Sequence, residues 1–281
     1  MVPRPAPAGR IDARAGLDGT ETRLLDLLDG LGPDEWDQPT IVPSWRVRHV
    51  AGHLLDTALR RLTIARDGFV FDRPASAAPD DVRAFVDRVN AEGVQVYGRL
   101  SPLVLRDVMQ PASQALRRWL AARAPDAPAL FPVSWAGETA SAHWFDAARE
   151  LTERWHHQQQ IRLALGRPDL FGRELYHPVL DCFMRALPYS FRDLDAPDGA
   201  HVAVEVTGEA GGIWRLYRDG ARWMLTTDVL DQPVARVTLP EHVAWRLFTK
   251  GIAPEAARHD SRVEGDPVLA AQVFATRAIV G

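Results

Sequence analysis

The apolar residues of this chain change their period once, near residue 198, and that switch limits the folds open to it. Before it they recur at helical spacing; after it they alternate as in half-buried strands. The spacing predicts helices over about 14–31, 45–67, 79–99, 102–123, 140–165 and 173–188, the second opened by Ser44 as N-cap. In that second helix Val47, Val50, Ala51, Leu54, Leu55, Ala58 and Leu62 form one apolar stripe. Four long helices with a shared apolar interior imply an antiparallel bundle. The loop "DLDAPDGA" then breaks the pattern. "HVAVEVTG", "GIWRLYRDG", "RWMLTTD" and "ARVTLP" read as four short strands, followed by a helix at "EHVAWRLFTKG" and a last segment from "GDPVLAAQVFATRAIVG". The expected fold class is α plus α+β: a loose tail over 1–13, a helical bundle over 14–197 and a smaller α+β domain over 198–281.

Composition narrows the function classes. A net charge of −4 over 281 residues leaves no basic footprint for nucleic acid. No run of about 18 apolar residues reads as a membrane span. The start, "MVPRPAPAGRID", lacks the apolar core of a signal peptide. Cys182 is the single cysteine, so no internal disulfide can form, and its apolar setting "VLDCFMRAL" marks a small buried hydrophobe. A cytoplasmic monomer is the expectation.

One predicted helix is chemically unusual. "ELTERWHHQQQIRLALGRP" carries Glu153 and His157 four apart, on one helix face, beside the apolar stripe of Ala147, Leu151, Trp155 and Leu165. A carboxylate and an imidazole directed at a bundle interior are costly unless paired or bound to a metal. His156 lies about 100° round the helix from His157 and falls on a more polar side, with Arg149 and Thr152. A third ligand would come from "RVRHVAGHLLD", where either His53 or His49 suits the inner face; periodicity leaves that choice open. Two histidines and one glutamate, with a position left for water or substrate, is an arrangement used by catalytic zinc. The pattern alone is weak, since Glu and His four apart more often pair on a helix surface.

These same residues carry a resemblance. "VPSWRVRHVAGHLLD" followed by "ARELTERWHHQQQIRLALGRP" resembles the mycothiol-dependent maleylpyruvate isomerase family, within the wider DinB-like metalloprotein group. The C-terminal part, with "RLFTKG" and "VEGDPVLA", looks like the sterol-carrier-like domain that accompanies that bundle. The resemblance implies a DinB-like four-helix bundle and a divalent metal, typically zinc, held by His53, Glu153 and His157. It thereby favours His53 over His49 and His157 over His156. The abundance of arginine and alanine also suits a high-GC actinobacterial source, where mycothiol is made.

The implied chemistry is that of a thiol at a metal. Coordination deprotonates a thiol whose free pKa is about 8.5, and mycothiol would supply the nucleophile the chain lacks. In the family's isomerase the thiolate adds to the cis double bond of maleylpyruvate, the resulting single bond rotates, and the thiol leaves to give fumarylpyruvate. Transfer of the thiol to an electrophile begins with the same attack. Arg154, Arg162 and Lys250 are candidates to bind thiol or substrate carboxylates, against the alternatives of salt-bridged arginines and a lysine placed favourably at a helix C-terminus. Trp45 and Trp144 are candidates to line the cleft. Two other classes remain in view: a ligand-binding protein with a structural metal, and a hydrolase using metal-bound water.

Overall fold

The computed structural model describes residues 4–76 and 78–279, so the first three residues of the expected tail lie outside the described residues. The chain forms two compact units. One comprises Ala13–Phe131 and Ala142–Leu170; the other comprises the N-terminal residues through Asp12, Pro132–Ser141 and Phe171–Ile279.

The first unit is helical: α1 (Arg14–Asp29), α2 (Val47–Arg61), α3 (Pro79–Tyr97), α4 (Pro102–Ala121) and α5 (His143–Ala164). α1 packs on α4 and α5, and α2 packs on α3, α4 and α5. Their shared interior holds Leu24, Leu28, Val50, Leu54, Leu55, Leu105, Met109, Leu116, Leu151 and Trp155, all buried. Burying a side chain of this size contributes about 1.5–3 kcal/mol, which offsets the entropy of ordering the helices. Small residues permit close approach. A Cβ at Gly16 would stand 2.8 Å from Leu151, and one at Gly52 would stand 3.2 Å from the Cβ of Tyr97.

The start of α2 differs from expectation. Arg46, not Ser44, is the N-cap, and its backbone N–H donates to Nδ1 of His49 at 3.1 Å. Ser44 has left-handed backbone, φ 65°, and its hydroxyl donates to Pro43 O; it lies two residues too early to cap. The far end of α2 widens into a π-turn over Leu62–Arg66, where Asp67 N donates to Leu62 O.

The second unit is a five-stranded sheet with helices. β1 (His201–Val206), β2 (Gly212–Asp219), β3 (Arg222–Thr226), β4 (Ala235–Leu239) and β5 (Arg262–Gly265) are ordered β3-β2-β1-β4-β5. β1 pairs antiparallel with β2 and parallel with β4; the remaining neighbours are antiparallel. The helices are α6 (Arg173–Met184), α7 (Leu187–Ser190), α8 (Glu241–Phe248), α9 (Pro254–His259) and α10 (Pro267–Ala275).

Three expectations are corrected here. β5 and α9 were not anticipated: β5 is a four-residue edge strand, largely exposed, with no apolar alternation to reveal it. The units divide at 170–171 and not near 198, because α6 and α7 pack on strands of this second unit. Tyr176 of α6 donates its hydroxyl to Glu241 O at 2.8 Å. An amphipathic pattern shows that α6 has a buried face without showing what covers it. Finally, residues 6–9 are not loose. Pro7 bridges to Thr226, Ala8 N donates to Leu225 O, and Arg185 donates to the carbonyls of Ala8 and Gly9.

Candidate metal centre

α5 is buried on every side from His156 to Ile161. A helix so enclosed must find partners for each polar side chain it carries, and the six-residue run "HHQQQI" meets that demand one residue at a time. Gln158 donates to Thr20 O and accepts from Arg162. Gln159 donates to Asp169 and accepts from Leu170 N at 3.1 Å. His156 holds its Nδ1 against Thr152 O at 2.7 Å. His157 holds its Nδ1 against Oε1 of Gln160 at 2.8 Å.

His157 thus turns Nε2 toward Glu153, one turn back, and His53 of α2 does the same from the facing helix. Oε1 of Glu153 is 2.9 Å from His53 Nε2 and 3.3 Å from His157 Nε2. One ligand atom from each of these residues lies within 4.8 Å of the others. Tetrahedral zinc, with bonds of about 2.0–2.2 Å, sets its ligands about 3.4 Å apart. Glu153 is the most accessible of the three, its side chain 29% exposed against 3% for His53.

The chemistry of this donor set fits a cation. An amide oxygen only accepts, so Nδ1 of His157 carries a proton, and in the neutral ring Nε2 presents a lone pair. That lone pair faces a carboxylate oxygen, an opposition relieved by a divalent metal or by an extra proton. Burial lowers the pKa of His53, partly countered by Glu153, and so disfavours the protonated alternative there. Burial alone would raise the carboxyl of Glu153, but His157 and His53 together hold it well below the usual range. His53, Glu153 and His157 can therefore hold a metal.

Trp45 stands beside both imidazoles, its ring centroid 5.1 Å from that of His53 and 6.2 Å from that of His157, nearly parallel to the latter. The turn before α2 sets it there: Thr40 N and Oγ1 both donate to Trp45 O. Trp144, the other indole considered for a cleft, stacks on Phe145 at the start of α5.

The remaining candidates separate clearly. His49 is occupied as the cap of α2. Burial pushes His156 down to about 3 and leaves it neutral, bonded to backbone. Arg154 was a candidate to bind thiol or substrate, but its side chain is 1% exposed and is bonded to Glu21 and Glu150 at 3.1 Å each. It belongs to a buried network in which Arg61 pairs with Asp146 and Glu150, and Arg149 with Asp146. Three guanidiniums meet three carboxylates, so the charges balance. Arg162 is likewise committed to closing α5, donating to Gln158, Pro168 O and Arg23 O. Lys250 follows α8 with left-handed backbone, φ 61°, in the sheet-containing unit. Gln160 went unnoticed in the sequence; its spacing of three from His157 was the available signal.

The chain matches the family described as the mycothiol maleylpyruvate isomerase N-terminal domain over residues 17–162, a segment that contains all three candidate ligands. Proteins of two strains of Mycobacterium tuberculosis, both described as uncharacterized, are each 30% identical over 207 residues, covering 72% of this chain and 74% of theirs. Among solved structures, the mycothiol-dependent maleylpyruvate isomerase superposes with a TM-score of 0.51 at 14% identity, covering 83% of this chain and 86% of that one. Its histidine-to-alanine mutant gives 0.53 at 12% identity, with 89% and 91% covered. Such low identity shows likeness of fold. With the match over 17–162 and the mycobacterial relatives, the chain belongs to the mycothiol maleylpyruvate isomerase N-terminal domain family.

Proposed function

We propose that this chain is a metal-dependent enzyme that uses mycothiol, either to isomerise a maleylpyruvate-like cis substrate or to transfer the thiol to an electrophile. The observation that carries the proposal is the convergence of His53 Nε2, Glu153 Oε1 and His157 Nε2 from two helices. A structural zinc usually takes four protein ligands. Here the two histidines nearest in sequence to the trio are engaged elsewhere, His49 in a cap and His156 with backbone. Three ligands favour catalysis over a structural metal.

A metal bound there, zinc by preference, would supply a thiolate at neutral pH by lowering the pKa of a coordinated thiol. The chain's own residues provide the frame. Gln160 holds the proton of His157 on Nδ1 and so keeps Nε2 free to coordinate. The neutral network around Arg154 lies on the same helix and fixes α5 against α1 and α2. Trp45 walls the two imidazoles on one side. Cys182 is buried in the other unit and is no candidate nucleophile. In this reading the helical unit is a DinB-like four-helix bundle and the sheet-containing unit a sterol-carrier-like domain.

The test is turnover of maleylpyruvate by the metal-loaded protein with and without mycothiol. Fumarylpyruvate formation that requires both metal and thiol is expected. Turnover without thiol would indicate a hydrolase instead. Metal binding with no reaction on maleylpyruvate or on electrophiles would indicate a binding protein.

A further inference from the structure

The three consecutive glutamines of α5 are all buried, yet they do different work. Gln158 clasps α1 through Thr20 O, and Gln159 clasps the 169–170 turn through Asp169 and Leu170 N. Gln160, 4% exposed, instead reaches back along its own helix to His157. The contrast with His53 is informative: Nδ1 of that histidine is buried and has no hydrogen-bond partner among the described residues. Both rings direct Nε2 at Glu153, but among the described residues only His157 has a hydrogen-bond partner at Nδ1, and that partner is a neutral amide.

We infer that Gln160 is the positioning residue of the metal centre, setting the tautomer and ring orientation of His157 through the bond from Nδ1–H to Oε1. The inference rests on the proposed metal reading for its consequence, though not for its geometry. Without that acceptor, a neutral imidazole is free to place its proton on Nε2, where it would donate to Glu153 and remove the lone pair that a metal needs. A carboxylate in this position would make the imidazole a stronger donor to the metal. An amide fixes the tautomer without adding charge, and so leaves the metal more electrophilic toward a thiol.

The experiment compares wild type, Gln160→Leu, Gln160→Glu and Gln158→Leu. Nitrogen-15 NMR of the metal-free proteins at mildly alkaline pH reports the tautomer of His157, and competition with a chromophoric chelator reports zinc affinity. Wild type is expected in the Nδ1–H form. Gln160→Leu should shift His157 toward Nε2–H and weaken zinc binding by roughly 10–100-fold, with Gln160→Glu restoring both. Gln158→Leu, which loses an equally buried clasp, should be less stable yet keep wild-type zinc affinity. Finding His157 as Nε2–H in wild type, or unchanged tautomer and affinity in Gln160→Leu, would overturn the assignment. If Gln160→Leu fails to fold, the wild-type tautomer and the Gln160→Glu affinity still decide it. Absence of zinc binding by wild type would refute the proposed function while leaving the tautomer result to judge Gln160.

Discussion

Asp146 and Asp56 are both buried aspartates of the helical unit, and their carboxyls move in opposite directions. Burial would raise Asp146, but Arg61 and Arg149 outweigh it and the pKa falls below 3.8. At Asp56 burial prevails over the single partner Arg60, and the pKa rises. The linkage follows from these signs. Asp146 stabilises the fold above its unfolded pKa, and that contribution disappears as pH falls from about 3.8 through its lower folded value. Asp146→Asn is therefore expected to be less stable than wild type at neutral pH, with the gap closing in acid. Asp56 does the reverse: its contribution is present below about 3.8 and is lost as pH rises through the higher folded value. Asp56→Asn should match wild type in acid and exceed it at neutral pH. Urea titrations across pH check both. Arg154→Ala removes the ion-pair partner of buried Glu21 and leaves Glu150 with Arg61 at 3.5 Å, and should cost about 3–5 kcal/mol by the same measurement. Spacing offers the pairs four apart, Glu150 with Arg154 and Asp56 with Arg60, but not the partners that come from other helices. Arg154 could be read either as a ligand-binding or as a salt-bridged arginine; Glu150 lies one turn before it, but Glu21, 133 residues earlier, could not be foreseen as the second carboxylate that encloses it.

At the scale of elements, α2 shows what a residue pattern settles and what it leaves open. The apolar stripe from Val47 to Ala58 is buried as expected. The choice between His49 and His53 was not decided by periodicity, because residues four apart share a face. The cap favours His53: α2 begins at Val47, so His49 is the third residue of the helix and accepts from Arg46 N. His49→Ala should lower stability by about 1 kcal/mol and leave metal affinity unchanged; loss of metal would contradict the assignment. α2 also depends on a glycine in α3. A Cβ at Gly93 would stand 2.2 Å from Oδ2 of Asp56, so Gly93→Ala must displace that carboxylate or push the helices apart. A lowered midpoint in thermal denaturation is expected.

For the whole molecule, the change from helical to alternating periodicity announced a helical part and a part with a sheet, and both are present. It misplaced the division because α6 carries the same helical spacing wherever it packs. It also treated the N-terminus as loose, since "RPAPAGRID" has no strand alternation; a backbone bond to Leu225 O and the guanidinium of Arg185, donating to the carbonyls of Ala8 and Gly9, hold it without any apolar pattern. Deleting residues through Gly9 should uncover the edge of β3 and speed amide exchange over Arg222–Thr226, and unchanged protection would contradict that role. The pattern showed the Glu153–His157 pair but left His49 and His53 open, and it was the resemblance that implied His53; the three side chains do converge, and the metal they are proposed to hold is the central claim. Its most direct test is the divalent metal content per chain of purified wild type, His157→Ala and His156→Ala, measured by plasma mass spectrometry before exposure to chelator. One metal per chain in wild type and His156→Ala, with loss in His157→Ala, is the predicted result. A wild-type protein that carries no metal and takes up none, or a metal lost with His156 and kept without His157, would contradict it.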